Sequence, residues 1–453
     1  MFTIKEFLRS EVKPALGCTE PGAVALAVAR ACEELQDRSA IDSITVKVSD
    51  SIYKNGMAVG IPGAYGAKGN AVAAALAALC GKSSFGLEAL KDCRPELVPL
   101  AEAMVSKGQV RIMRCADLEG LLIDATVQSK IEEACCVIIG GHTNIVKVEY
   151  CGKVLFESDN VHRNASATAA TNNSAVTDNT AAAGASPDAI YQQMIGSYFM
   201  DILSLADKID EEDIVHLLSG VTMNRKMADY GVSDAFTGGI GFGKKLKDLI
   251  ARGIVADDVI NQAKYLCYAA ADARMAGAAY PIMSSAGSGN HGIVAILPVA
   301  IAAEQAGKST RAMAVALATS HVVTGFVKSK LGRLSPVCGC TVAAGSGAAA
   351  GLVRLFGGTN TQIELAVKTV LSSLAGMVCD GAKGSCSLKV GNAAGEAFMA
   401  SYFALEGLGI STSQGIIDAC IEKTTDNVGV LNREGMGMVD KVLIGIMEQR
   451  SLA

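Results

Sequence analysis

The segments QVRIMRC (109–115), LLIDATVQS (121–129), CCVIIGG (135–141), NIVKVEYC (144–151) and KVLFES (153–158) decide how this chain is built. They are short, rich in β-branched residues and separated by Gly, Asn and charged turns, which is the pattern of strands. Tyr150-Cys151-Gly152-Lys153 reads as a hairpin turn, so the sheet is mainly antiparallel. Upstream, IDSITVKVSD (41–50) alternates apolar and polar residues and reads as a further strand. PGAVALAVARACEELQ (21–36) opens with Pro at a helix start, and AVAAALAALCG (71–81) reads as a buried helix ending at Gly81. Residues 158–186 are polar and of low complexity, a loop or linker. From Pro187 the pattern is helical, as in AIYQQMIGSYFMDILSLADKI, DVINQAKYLCYAAADARMAG, TQIELAVKTVLSSLAG and GIIDACIEKTTD. The expected fold is α+β: a small, mainly antiparallel sheet domain over 1–160, a linker or loop at 161–186, and a large all-helical domain over 187–453.

A length of 453 residues agrees with two domains. Half of the residues are hydrophobic and only 19% are charged, which excludes disorder as a description of the whole chain. A net charge of -5 leaves no basic surplus to neutralise phosphates, so no nucleic-acid partner is expected. The N-terminus MFTIKEFLRSEVKPALG carries charges throughout, unlike a secretory signal, and a cytoplasmic location follows as an expectation. The uncharged stretches 276–303 and 334–353 are long enough for a membrane span, but Pro, Asn, His, Ser, Thr and Gly interrupt them. Core helices joined by glycine-rich loops explain both, and no membrane partner is expected. The composition is compatible with a homo-oligomer.

Fourteen cysteines without a secretory signal are expected to stay reduced. Cys32, Cys80, Cys267 and Cys420 sit in Ala- or Leu-rich helical patterns and read as small core residues. Cys135 and Cys136 cannot face one ligand from a single strand. Glycine-rich, polar segments within apolar surroundings are the candidates for chemistry. Cys338 and Cys340 open an Ala/Gly-rich helix, and Cys379 and Cys386 bracket a loop of Asp, Gly, Lys and Ser. Thiolates gathered there suit a soft metal or an iron–sulfur cluster, although incidental core cysteines fit the same spacing. Ser284–Gly292 (SSAGSGNHG) precedes an apolar run and offers N–H groups and hydroxyls to a carboxylate, or merely a helix cap. Cys18, between Gly17 and Thr19, is a base, a nucleophile or a capping-turn thiol. Lys54 and Lys68 flank a glycine-rich stretch and bind an anion or stay solvated. SGNHG is also similar to the carboxylate loop of pyridoxal-phosphate dehydratases, but the sequence shows neither their Schiff-base lysine motif upstream nor a phosphate-holding run of glycines.

Taken together, LGCTEPGAVALA, SIYKNGMAVGIPGAYGAKG, SSAGSGNHGIVAILPV, VCGCTVAAGSGAAAG and GMVCDGAKGSCSLKVG resemble the L-cysteine desulfidase family, related to the α region of iron–sulfur L-serine dehydratases. The resemblance spans nearly the whole chain. It implies a [4Fe–4S] cluster held by Cys379, Cys386 and Cys340, with Cys338 as the alternative to Cys340. It also implies Cys18 as the catalytic base, and Ser285, Ser288, Asn290 and His291 as holders of the substrate carboxylate or amino group. The implied reaction is β-elimination of L-cysteine to pyruvate, ammonia and hydrogen sulfide, with an open iron acting as Lewis acid. An L-serine dehydratase using the same cluster is the first alternative, and a non-catalytic iron–sulfur sensor the second. The chain-terminal cysteine of the serine dehydratases is missing here, since the sequence ends EQRSLA.

Overall fold

A computed structural model describes residues 2–64, 66–115, 120–158, 187–332 and 335–451. The expected linker at 161–186 lies outside the described residues. The first part of the chain carries α1 (Ile4–Glu11), β1 (Pro14–Leu16), α2 (Thr19–Cys32), β2 (Ile41–Ser49), α3 (Asp50–Gly56), α4 (Asn70–Cys80) and α5 (Leu97–Ser106). The strands β3 (Val110–Cys115), β4 (Leu122–Ser129), β5 (Glu133–Ile139), β6 (Ile145–Tyr150) and β7 (Lys153–Glu157) follow. They join β2 in a six-stranded sheet of order β3-β2-β4-β5-β6-β7, in which only the β2–β3 pair is parallel. The hairpin turn lies where expected. Cys151 and Gly152 have φ of 47° and 78°, the left-handed pair that joins two strands without splaying them.

Strand alternation sends one face inward. Ile44, Val46 and Val48 of β2, Ile123, Ala125 and Val127 of β4, and Ala134, Cys136 and Ile138 of β5 are buried against the Ala-rich helices α2 and α4. Cys135 points the other way and is half-buried.

The second part is helical, as expected: α6 (Pro187–Ile195), α7 (Phe199–Leu205), α8 (Glu211–Val232), α9 (Phe242–Ala251), α10 (Val259–Met275), α11 (Gly289–Gln305), α12 (Thr310–Leu331), α13 (Gly339–Leu355), α14 (Asn360–Leu374), α15 (Cys386–Leu405), α16 (Ile421–Val430) and α17 (Val439–Ser451). Helix α13 runs through the centre, with nearly every side chain buried. Its small residues let neighbours approach closely. A Cβ on Gly347 would stand 2.0 Å from Thr324 Oγ1 of α12, and one on Gly351 2.8 Å from the Ala316 carbonyl. The described residues of the two long uncharged stretches fold largely as α11 and α13, inside this core. Among the described residues α12 is the one helix long and apolar enough to cross a membrane, and most of it is buried within the protein.

Three features depart from the sequence reading. The strand β8 (Pro281–Met283) interrupts the helices and pairs antiparallel with β1. The N-terminal residues Phe2, Ile4, Phe7, Leu8 and Val12 join the helical core, not the core beneath the sheet. Gly325 leaves room for the Phe7 ring, which would lie 2.8 Å from an added Cβ. Burial of Phe7 and Leu8 contributes about 2 kcal/mol each. Finally, GIIDACIEKTTD turns helical only at Ile421, and Cys420 caps that helix from the surface, donating to Glu422 Oε2 at 2.8 Å. Cys420 is thus no core residue: the apolar neighbours Ile416 and Ile417 precede a bend instead of sharing its helical face.

Candidate active site

The β1–β8 ladder brings the two ends of a cavity together. Pro14, Ala15 and Leu16 pair with Met283, Ile282 and Pro281. The ladder is extended by bonds from Ser284 N–H to the Lys13 carbonyl (2.8 Å) and from Ala286 N–H to the Glu11 carbonyl (3.1 Å). Immediately beyond β1 the chain turns at Gly17, whose φ of +60° and closeness to Pro62 (2.0 Å from an added Cβ) require glycine. Cys18 then caps α2. The same ladder ends at the SSAGSGNHG loop, which leads into α11 with Ser288 as its cap.

The cysteine segments are joined by a second short pairing. Cys338 N–H donates to the Met377 carbonyl at 2.8 Å, and Cys379 N–H to the Pro336 carbonyl at 2.6 Å. Cys338 caps α13 and Cys340 lies in its first turn, while Cys386 is the first residue of α15. Gly381 has φ of +91° and an added Cβ would meet the Lys54 carbonyl at 2.6 Å, so the loop between Cys379 and Cys386 closes tightly on α3.

One cavity of about 890 Å³ is lined by Cys18, Ser288, Asn290, His291, Cys338, Cys340, Cys379 and Cys386. Residues separated by more than 300 positions in the sequence therefore meet at one wall. Ser285 does not line it. It is fully buried, and its hydroxyl faces His321 Nδ1 at 2.8 Å. The positive φ of Ala286 (45°) and Gly287 (78°) makes a tight turn that bridges Ser285 to Ser288, and of the two only Ser288 lines the cavity.

Burial pushes the Cys18 thiol up to about 12, opposed by the nearby Arg274 guanidinium. Cys338 and Cys340 share a hydrogen bond. That bond, with the Lys389 ammonium and the Thr341 N–H, holds Cys338 down at about 6 despite burial, and drives Cys340 upward. Burial pushes Cys386 up to about 11. His291 is held down at about 3 by burial and by Lys328, and its Nδ1 lies 3.1 Å from the Ser285 carbonyl. Its imidazole stays neutral at physiological pH and lies against the start of α13, where Nε2 would be 2.6 Å from a Cβ on Gly339. Among the described residues no three His, Cys, Asp or Glu side chains are grouped for a single metal ion. The cysteines stand around the cavity, and their soft sulfur donors match the chemistry of an iron–sulfur group, whose ligands bind at separate corners.

Several wall residues escape the motifs. Arg274 comes from α10, Lys328 from α12 and Asp440 from α17, while Lys389 of α15 stands within the GMVCDGAKGSCSLKVG motif. Lys54 is only 4% exposed and donates to Asp440 Oδ1 (2.7 Å) and the Cys379 carbonyl (3.1 Å). His142, in the β5–β6 turn, meets Thr19 Oγ1 at 3.2 Å and brings the sheet to the mouth. The signal that could have flagged Arg274 is a single cation within the small-residue run AAADARMAG.

A serine dehydratase alpha chain family model matches residues 101–445. Over essentially the full length of both chains, the sequence is 40% identical to a UPF0597 protein of Desulfatibacillum aliphaticivorans (100% of this chain, 99% of the relative). It is 38% identical to one of Kosmotoga olearia (99% of each) and 39% identical to one of Clostridioides difficile (98% of each). With the match covering the cysteine segments, the SSAGSGNHG loop and nearly all of the helical part, the chain belongs to the serine dehydratase alpha chain family.

Proposed function

We propose that the chain is an iron–sulfur-dependent L-cysteine desulfidase, a carbon–sulfur lyase that converts L-cysteine and water into pyruvate, ammonia and hydrogen sulfide. The reading is supported above all by the meeting of Cys18, the SSAGSGNHG loop and the cysteines of the 338–340 and 379–386 segments on one cavity. Cys379, Cys386 and Cys340 would hold the cluster, with Cys338 as the alternative third ligand. A bound [4Fe–4S] cluster supplies an iron without a protein ligand, a Lewis acid for the departing sulfur.

The protein's own groups account for the remainder. The loop residues Ser288, Asn290 and His291 hold the carboxylate and amino group of the substrate. Ser285 fixes that loop from behind through His321. Cys18, at the start of α2, takes the α-proton. Its burial makes the thiolate strongly basic, and the helix N-terminus and Arg274 favour its charge. Loss of the α-proton and of the thiol gives aminoacrylate, which hydrolyses to pyruvate and ammonia.

The protein purified without oxygen is expected to contain iron and acid-labile sulfide and to release sulfide from L-cysteine. Cys379→Ala and Cys386→Ala should lose both iron and activity, and comparing Cys340→Ala with Cys338→Ala identifies the third ligand. Cys18→Ala should keep the iron with turnover reduced by 100-fold or more, about the contribution of a positioned base. Sulfide release by iron-free protein overturns the reading. The family match favours a second one, L-serine dehydratase by the same elimination with water as leaving group. The ratio of kcat/KM for L-serine and L-cysteine decides between them.

A further inference from the structure

Arg274 lies near the end of α10 in the run AAADARMAG (269–277) and is 5% exposed, yet it forms part of the cavity wall. Its guanidinium is held by two neutral groups and lies beside the Cys18 thiol, which burial keeps protonated at rest. Nη1 donates to Asn290 Oδ1 at 3.1 Å, and Nη2 to the Gly17 carbonyl at 2.6 Å. Nε is buried and has no partner. The fold makes space for this cation, because a Cβ on Gly289 would stand 2.5 Å from Nε. Glycine within SGNHG therefore serves Arg274 as much as the turn. Among the described residues no carboxylate pairs with it. The nearest acid in sequence, Asp272, is occupied by the Ile240 and Gly241 N–H groups, the latter at 2.6 Å. Two other cations of the wall are paired with acids: the buried Lys54 faces Asp440, and the half-buried Lys389 faces Asp380.

A guanidinium taken out of water without a counter-charge is strongly unfavourable, and a carboxylate matches its planar donors best. We propose that Arg274 receives the substrate's carboxylate, oriented by Asn290, and so makes a free carboxylate the condition for binding. The proposal rests on reading the cavity as an amino-acid site and names the residue that recognises one end of that amino acid. Arg274 is a specificity-determining residue here, since Asn290 and Gly17 aim it between the cysteine of the N-terminal turn and the SGNHG loop.

L-Alanine and L-alaninamide carry no leaving group and differ only at the carboxyl end. Their binding to the anaerobically purified holoprotein is measured by calorimetry, alongside sulfide release from L-cysteine. The wild type should bind L-alanine at least about tenfold more tightly than the amide, tenfold being about 1.4 kcal/mol. Arg274→Met should erase the preference by weakening L-alanine binding while leaving the amide unchanged. Arg274→Lys, which keeps the charge but lacks the planar fork, should restore part of it, and it serves as the reporter if the methionine variant does not fold. Equal affinities in the wild type, binding of neither ligand, or a preference that survives Arg274→Met overturns the proposal. A bond from Arg274 to the Cys18 sulfur alone predicts equal affinities. Discrimination without sulfide release leaves Arg274 assigned and refutes the desulfidase reading. Sulfide release without discrimination does the reverse.

Discussion

His321 is buried beside Ser285, and burial holds its imidazole down at about 3, far below its ordinary 6.5. Between those values the unfolded chain binds a proton that the folded chain refuses, so stability falls as pH falls from about 6.5 towards 3, by about 1.4 kcal/mol per unit for each such group. His291 titrates in the same window. Denaturant unfolding at pH 6.5 and at pH 5 should show the wild type losing stability, and His321→Asn should lose about 2 kcal/mol less over that interval. An unchanged pH dependence in the variant would contradict a neutral, buried His321. The same pair shows what single residues disclose in sequence. Ser288, Asn290 and His291 stood out as candidates because a polar, glycine-rich loop before an apolar helix offers donors to a carboxylate, although a helix cap fits the same pattern, and all three line the cavity. That Ser285 faces inward was not legible, because it depends on the positive φ of Ala286, a residue type that rarely adopts it. Arg274 looked like an ordinary helix residue, since its partners Gly17 and Asn290 lie in two other motifs.

At the scale of elements, helix α13 is built to be approached. Replacing helical Gly by Ala normally gains up to about 1 kcal/mol. At Gly347 the added methyl would press on Thr324 Oγ1 and on the Ser320 carbonyl (2.4 Å), so Gly347→Ala should instead destabilise by about 1–3 kcal/mol and lower the Tm. At Gly445 of α17 nothing lies within 4 Å, and Gly445→Ala should raise the Tm slightly. Opposite signs for the two in thermal melts are the expected outcome, and equal signs would deny the close α12–α13 contact. The elements themselves were largely written in the local pattern. The alternation in IDSITVKVSD, the Cys151-Gly152 turn and the Ala-rich helices each carry their own signal. The three-residue strands β1 and β8 carry none, because two such segments acquire strand character only from each other, across 264 intervening positions between Leu16 and Pro281. GIIDACIEKTTD misled for a related reason: its apolar spacing suits a helix, but Gln414 and Ile417 bridge each other and end the pattern in a turn.

At the scale of the molecule, Lys54 joins three distant regions: α3, the Cys379 loop and the C-terminal helix α17 through Asp440. Arg114 of β3 reaches both sides of this seam, Asp50 of α3 at 2.7 Å and Glu448 of α17 at 3.9 Å. Lys54→Met leaves a partly buried carboxylate and a carbonyl without their cation. It should cost about 3 kcal/mol and expose α17 to limited proteolysis. Under the cluster reading it should also lower the iron content of purified protein, and unaltered proteolysis would show that the seam holds without Lys54. That strands gather before residue 158 and helices follow from Pro187 was visible in composition, whereas the seams were not, since each consists of single long-range bonds. One such joint has a consequence for biosynthesis. Phe7 lies against Gly325 of α12, and Pro14–Leu16 just after it pair with β8. A ribosome releases those opening residues long before their destination has been translated. The nascent chain must keep its first hydrophobic turn waiting in solution, or shielded by a chaperone, until most of the polypeptide has emerged, and only then can the cavity acquire its N-terminal thiol.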